Sequence, residues 1–131
     1  MSVFNYAGSE PIALLAGAAV TRRTFVKAST AADLTVLPCA AGTDTSIGVA
    51  IEAQTAIGST VVVQSYGIAQ VTAGAPIARG VNVTSNASGQ AVLAVTGNTV
   101  YGISLNAPAA LGETCVVLLH GGPNTSGPTT P

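Results

Sequence analysis

Residues 48–67 of this chain (GVAIEAQTAIGSTVVVQSYG) align without a gap on residues 102–121 (GISLNAPAALGETCVVLLHG), at an offset of 54. Eight of the 20 positions are identical: Gly48/Gly102, Ala53/Ala107, Ala56/Ala110, Gly58/Gly112, Thr60/Thr114, Val62/Val116, Val63/Val117 and Gly67/Gly121. Like replaces like at Val49/Ile103, Ile51/Leu105 and Ile57/Leu111. In a chain so rich in Ala, Gly and Val, roughly two matches would arise by chance, so the sequence reads as a duplication. Upstream the correspondence continues at an offset of 56, pairing Ile12, Ala13, Ala19, Arg23 and Ser29 with Ile68, Ala69, Ala75, Arg79 and Ser85. A changed loop length accounts for the two-residue difference. The expected organisation is a single β domain at 11–121, made of one unit at about 11–66 and a second at about 67–121. An N-terminal arm (1–10) and an exposed, Pro-rich C-terminal tail (122–131) flank it.

The shared positions are those of turns and packed strands. Segments rich in Val, Ile and Thr, punctuated by Gly, Asn and Pro, predict strands at 24–28, 34–39, 47–53, 60–65, 67–72, 81–85, 91–95, 101–107 and 114–120. The 86–89 segment, Asn-Ala-Ser-Gly, predicts a hairpin loop, and Gly97–Asn98 marks another turn. No 12-residue window has helical periodicity, although 53–57 and 107–111 could each form one helical turn. The expected fold is therefore all-β, a compact sandwich or barrel built from two tandem quasi-repeats with extended arms.

Charge is scarce. Asp, Glu, Lys and Arg make up 7% of the chain, against about 25% in an ordinary soluble domain. Disorder does not explain this, because disordered chains are charge-rich and poor in branched aliphatics. A surface of Ser, Thr, Asn, Gln and Ala does little to keep proteins apart, which suits a subunit packed against neighbours. Four basic residues are too few to neutralise the phosphates a duplex binder contacts, so nucleic acid is excluded as a partner. The longest apolar run, 11–20, is about half of a membrane-spanning helix. Glu10 precedes it and Arg22–Arg23 follow it, the reverse of a secretory signal's charge order, so neither a membrane segment nor a cleaved signal is expected.

No catalytic, metal or cofactor set assembles from the residue types present. Asp44-Thr45-Ser46 resembles an aspartic protease turn, but the aligned copy reads Asn98-Thr99-Val100 and lacks the second carboxylate a shared-proton dyad needs. It reads instead as an Asx turn. His120 is the only histidine and has no carboxylate or cysteine beside it in sequence. Cys115 and His120 are five apart on one strand and face opposite sides, which leaves a Cys39–His120 pair as the sole nucleophile–base candidate. Cys39 aligns with Leu93 and Cys115 with Val61, so both read as buried free thiols. Phosphate-binding glycine loops are absent, and three Asn-x-Ser/Thr triplets are of a kind that arises easily in such a composition. Among charged residues, Arg23 and Arg79 are the only repeat-equivalent pair. They are expected either to guard a strand edge or to dock an acidic partner surface or each other's subunit.

The segment 71–77 (VTAGAPI), then 80–83 (GVNV) and 88–91 (SGQA), resembles the capsid cement, or head decoration, proteins of tailed bacteriophages. So do 96–105 (TGNTVYGISL), 109–113 (AALGE) and 116–119 (VVLL). The resemblance runs over about 12–121 and rests on the order and spacing of these motifs. One departure is at 82–84, where family members often carry an aromatic pair and this chain has Asn-Val-Thr. The resemblance implies a non-enzymatic β protein in the virion, on the outer face of the phage head after assembly in the bacterial host cytoplasm. Its partners would be the major capsid protein and itself, as a homotrimer, with no cofactor. Candidate contacts are Phe4, Tyr6, Arg22, Arg23, Lys27 and Arg79. The alternative is the base of a head fibre or spike, or a displayed receptor- or glycan-binding β module.

Overall fold

The structure is a computed structural model that describes residues 11–123, with side chains to residue 119. The expected arm at 1–10 and most of the tail lie outside the described residues, as do the side chain of His120 and the residues Phe4 and Tyr6. Ten strands run in chain order: β1 (Pro11–Ala16), β2 (Thr24–Ala28), β3 (Thr35–Pro38), β4 (Ser46–Ala50), β5 (Thr60–Gln64), β6 (Gly67–Thr72), β7 (Asn82–Ser85), β8 (Ala91–Leu93), β9 (Thr99–Ser104) and β10 (Thr114–Pro123). No helix occurs among the described residues, so the two possible helical turns at 53–57 and 107–111 are bends and turns instead.

β1–β5 close into a barrel in the order β1-β3-β2-β4-β5, and β6–β10 form a sheet in the order β6-β10-β9-β7-β8. The connectivity is the same in both. β1 pairs antiparallel with β5 as β6 does with β10, and β2 lies between β3 and β4 as β7 lies between β8 and β9. The difference is closure. Two parallel partners join β1 to β3, whereas a single bridge, Ala73–Ala91, joins the second sheet's ends.

Several backbone bonds correspond between the two halves. The Arg23 N–H donates to Ala50 O (2.7 Å) as Gly80 N–H does to Ser104 O (2.9 Å), and Gly17 N–H to Val36 O (2.9 Å) as Gly74 N–H to Ala91 O (2.8 Å). Gly58 and Gly112 likewise donate to Ala16 O and Ala73 O. These correspondences put the offset at 57 over residues 16–23 and at 55 over residues 34–39, so Arg23 is placed like Gly80 and not like Arg79. The left-handed backbone agrees: φ is 62° at Arg23 and 81° at Gly80, 55° at Leu34 and 76° at Gly89. Cys39, whose N–H bonds Phe25 O, corresponds to Ala94, whose N–H bonds Asn82 O, and not to the exposed Leu93.

Alternation along the strands sorts side chains into two cores. Val26, Val36, Val61 and Val63 fill the barrel with Ala16, Val20 and Ala50. At the matching positions Val83, Ala91, Cys115 and Val117 fill the second half with Ala73, Ile77 and Ser104. Ser104 is polar where its counterpart is Ala50, and its hydroxyl donates to Ala78 O (2.6 Å) and accepts from Val81 N–H (3.2 Å). Phe25 and Val49 point out of the barrel into the second core. There Phe25 meets Tyr101 edge-on, with ring centroids 4.7 Å apart at 74°. Gly89 brings the β7–β8 hairpin against this seam, and a Cβ on it would stand 3.1 Å from Thr24 Cβ and 3.2 Å from Phe25 O. The hairpin has the expected geometry, with Asn86 Oδ1 accepting from Ser88 and Gln90 N–H groups (2.8 and 3.0 Å).

Candidate assembly interface

Arg22 and Arg23 are placed by the turn that enters β2. Thr24 is buried and its hydroxyl donates to Thr21 O (2.6 Å), which tightens that turn. Arg23 is committed to the seam between halves, since its carbonyl accepts Thr72 N–H (2.9 Å) and its Nη1 reaches Thr114 Oγ1 (3.5 Å). Arg22, Arg23, Ile51, Gln64, Ile68 and Gln70 line a pocket of ≈ 270 Å³ where β6 passes the barrel. Gln64 is buried, and its Nε2 donates to Tyr66 O (3.2 Å) and Ile68 O (2.7 Å), holding the link between the halves against the pocket wall.

Lys27 is elsewhere. It lines a second depression with Leu37, Asp44 and Ile47, and its Nζ pairs with Asp44 Oδ2 at 3.2 Å. This is the one ion pair among the described residues. Burial works against the charge on Asp44, but the Ala40 N–H (2.8 Å) and the Lys27 ammonium outweigh it and hold the carboxyl below the usual carboxylate range. Asp44 also accepts at its backbone oxygen from the Tyr101 hydroxyl (2.5 Å), which in addition reaches Ala41 O (3.2 Å). Arg79 is exposed, with no side-chain bond among the described residues. The four cations therefore separate into a pair, an ion-paired lysine and a lone arginine.

Cys39 and Cys115 are free thiols and both are buried. Burial pushes the Cys39 thiol up to about 11, against partial relief from its contact with Tyr101 and a further push from Asp44. Burial raises Cys115 too. A thiol so disposed is protonated near neutrality, a poor nucleophile. No three His, Cys, Asp or Glu side chains gather into a metal-ligating group among the described residues. Sequence reasoning missed Gln64, Gln70 and Ile68 as pocket walls. Their signal was weak: two neutral amides and an exposed Ile on strands otherwise read as scaffold.

The described residues thus give an all-β, charge-poor scaffold with two arginines lining one pocket. The sequence profile of the phage cement proteins matches residues 8–119. The chain belongs to the phage cement protein family and is a structural protein of the phage virion. No curated protein sequence matches it. Among solved structures it is similar to the N base of the head fibre gp8.5 of bacteriophage phi29. The TM-score is 0.68 at 24% identity, covering 86% of this chain and 94% of that one. That likeness extends the shared fold to both barrel and sheet.

Proposed function

We propose that this protein is a non-enzymatic cement subunit that binds the outer surface of a phage head and reinforces the lattice of major capsid protein. Membership of the cement family over residues 8–119 carries this reading. The scarcity of charge supports it, as do exposed apolar side chains on both halves, among them Ile57 and Leu111 at matching positions (74% and 65% exposed). Repetition over a lattice makes modest contacts strong in aggregate. The subunit is proposed to act as a homotrimer, assembled in the host cytoplasm, with two duplicated units at about 11–66 and 67–121. Its proposed contacts are Phe4 and Tyr6 in the N-terminal segment together with Arg22, Arg23, Lys27 and Arg79. Lys27 is the least available of these, being paired with Asp44.

A second reading is favoured by the fold of the phi29 head fibre base: the protein would be the base of a displayed fibre. Adding purified protein to expanded heads that lack it, then sedimenting and counting, separates the two. Copies in proportion to capsid hexamers support cement. Occupancy confined to vertices supports a fibre base, and no binding to heads contradicts both.

A further inference from the structure

Among the described residues, the edge of β6 that borders the arginine pocket has one gap in its bonding, at Gln70. Thr72 directs its N–H away from β10, to Arg23 O, and Ile68 directs its carbonyl the same way, to Gln64 Nε2. In an antiparallel strand the N–H and C=O of one residue share a side, and that side alternates with each residue. Gln70, midway between them and opposite Val116, therefore turns both its backbone groups into the pocket. Val116 fits this register, since its N–H bonds Asn106 Oδ1 (2.8 Å) and its carbonyl accepts Leu105 N–H (2.7 Å), both on the β9 side. Among the described residues β6 pairs with β10 alone, on its other edge, and no further bond reaches the Gln70 N–H or C=O.

The same cleft holds two guanidiniums with no acidic partner within pairing distance among the described residues; Glu52, adjacent to Ile51 in the chain, is not one. A vacant donor–acceptor pair on a strand edge recognises an extended main chain, and two arginines recognise a carboxylate. Ile51 and Ile68 add an apolar rim, 39% and 59% exposed. Ile68 continues across the outer face of the sheet into its register partner Leu118.

We propose that this cleft docks an extended, carboxylate-bearing segment of the neighbouring capsid subunit, whose main chain pairs with Gln70 in the gap between the Thr72–Arg23 and Ile68–Gln64 bonds and which places its acid between Arg22 and Arg23. The proposal rests on the cement reading above and names where on this subunit the lattice is gripped. Charge complementarity favours this occupant. No cleft-lining side chain carries a negative charge, and a carboxylate would remove the repulsion between adjacent cations.

The test uses expanded heads that lack the protein, titrated with wild type, Arg22→Glu and Gln70→Pro. Arg22 is exposed, and proline is tolerated on a strand edge whose N–H faces outward, so both variants should keep the wild-type melting temperature and oligomeric state. Each is expected to lose about tenfold in affinity for heads, and wild-type binding should weaken as salt rises. Wild-type binding that both variants leave unchanged would overturn the docking site while leaving the cement function standing. Variants that change subunit association instead would assign the cleft to a second copy, and overturn it as a capsid site. Failure of the wild-type protein to bind heads would overturn both readings.

Discussion

Replacing Phe25 by Ala tests whether the barrel and the second sheet form one cooperative unit. Phe25 belongs to a barrel strand, yet its ring is wholly buried among second-half residues and sits edge-on to Tyr101. Truncating a buried Phe to Ala costs about 3–5 kcal/mol, and of order 0.5–1.5 kcal/mol more is at stake in the lost aromatic pair. The higher part of that range is expected here. The seam is pinned on both sides by backbone bonds, from Phe25 N–H to Gly89 O (2.8 Å) and from Thr99 N–H to Gly42 O (2.8 Å), and collapses poorly around a cavity. For a domain of this length each kcal/mol moves the midpoint by roughly 4 °C, so a loss of about 4–6.5 kcal/mol should lower the melting temperature by about 16–26 °C. Urea unfolding followed in parallel by far-ultraviolet circular dichroism and tyrosine fluorescence is the assay. The chain has no tryptophan, and Tyr101 at the seam is one of its three tyrosines, so carrying Tyr6→Phe and Tyr66→Phe in the background makes the signal report from the seam. One coincident transition, shifted as stated, is expected. Two separate transitions, or a loss below about 1 kcal/mol, would refute a shared core, because Phe25 would then be behaving as surface on an independent barrel.

Three further outcomes follow from particular residues. Gly102→Ala puts a Cβ into contact with the backbone carbonyl of Leu118 and 2.6 Å from Val117 Cγ1, so it should destabilise by about 1–3 kcal/mol; an unchanged melting temperature would contradict the tight β9–β10 approach. Leu34→Gly should stabilise by about 0.5–1 kcal/mol, since Leu34 holds φ at 55° with its side chain 74% exposed, and a lower melting temperature would show that the leucine packs usefully. Neither cysteine should react with a maleimide in the native state near neutral pH, and both should react in urea. The Cys39 thiol has its folded pKa raised from 9.0 to about 11, so the unfolded chain loses its proton first. Its contribution to stability is full below about pH 9 and is lost as pH rises towards 11. Stability that rises over that interval would contradict its burial.

Much of the fold could be read from residue types, and the exceptions have physical causes. β2 and β6 match the expected spans residue for residue: β2 lies between Arg23 and Ser29, and β6 opens on Gly67 and stops before Ala73–Gly74. The predicted strand at 47–53 stops at Ala50, although Ile51 N–H still bonds Val62 O (3.0 Å), because Glu52 and Ala53 turn out into solvent. β1 read only as an apolar run, since its pattern is mostly exposed and shows little alternation. The Arg23–Arg79 match was misleading. Identical side chains draw the alignment one residue off, whereas the left-handed backbone and the backbone bonds set Arg23 beside Gly80. The two-arginine pocket was half visible. Its cations stood out in a charge-poor chain, but its other walls come from strands distant in sequence and the gap at Gln70 depends on β6 register, which residue types do not encode. The Cys39–His120 pair lost its chemical motive once Cys39 proved buried beside Tyr101.

The claim that this subunit strengthens a phage head is tested most directly by heating DNA-filled heads with and without it and recording the temperature of DNA release. Heads carrying the wild-type protein should retain DNA at temperatures where bare heads rupture, and heads offered Arg22→Glu at a matched limiting concentration should behave as bare ones. Identical release temperatures for fully occupied and bare heads would contradict a reinforcing role, whatever the affinity of binding.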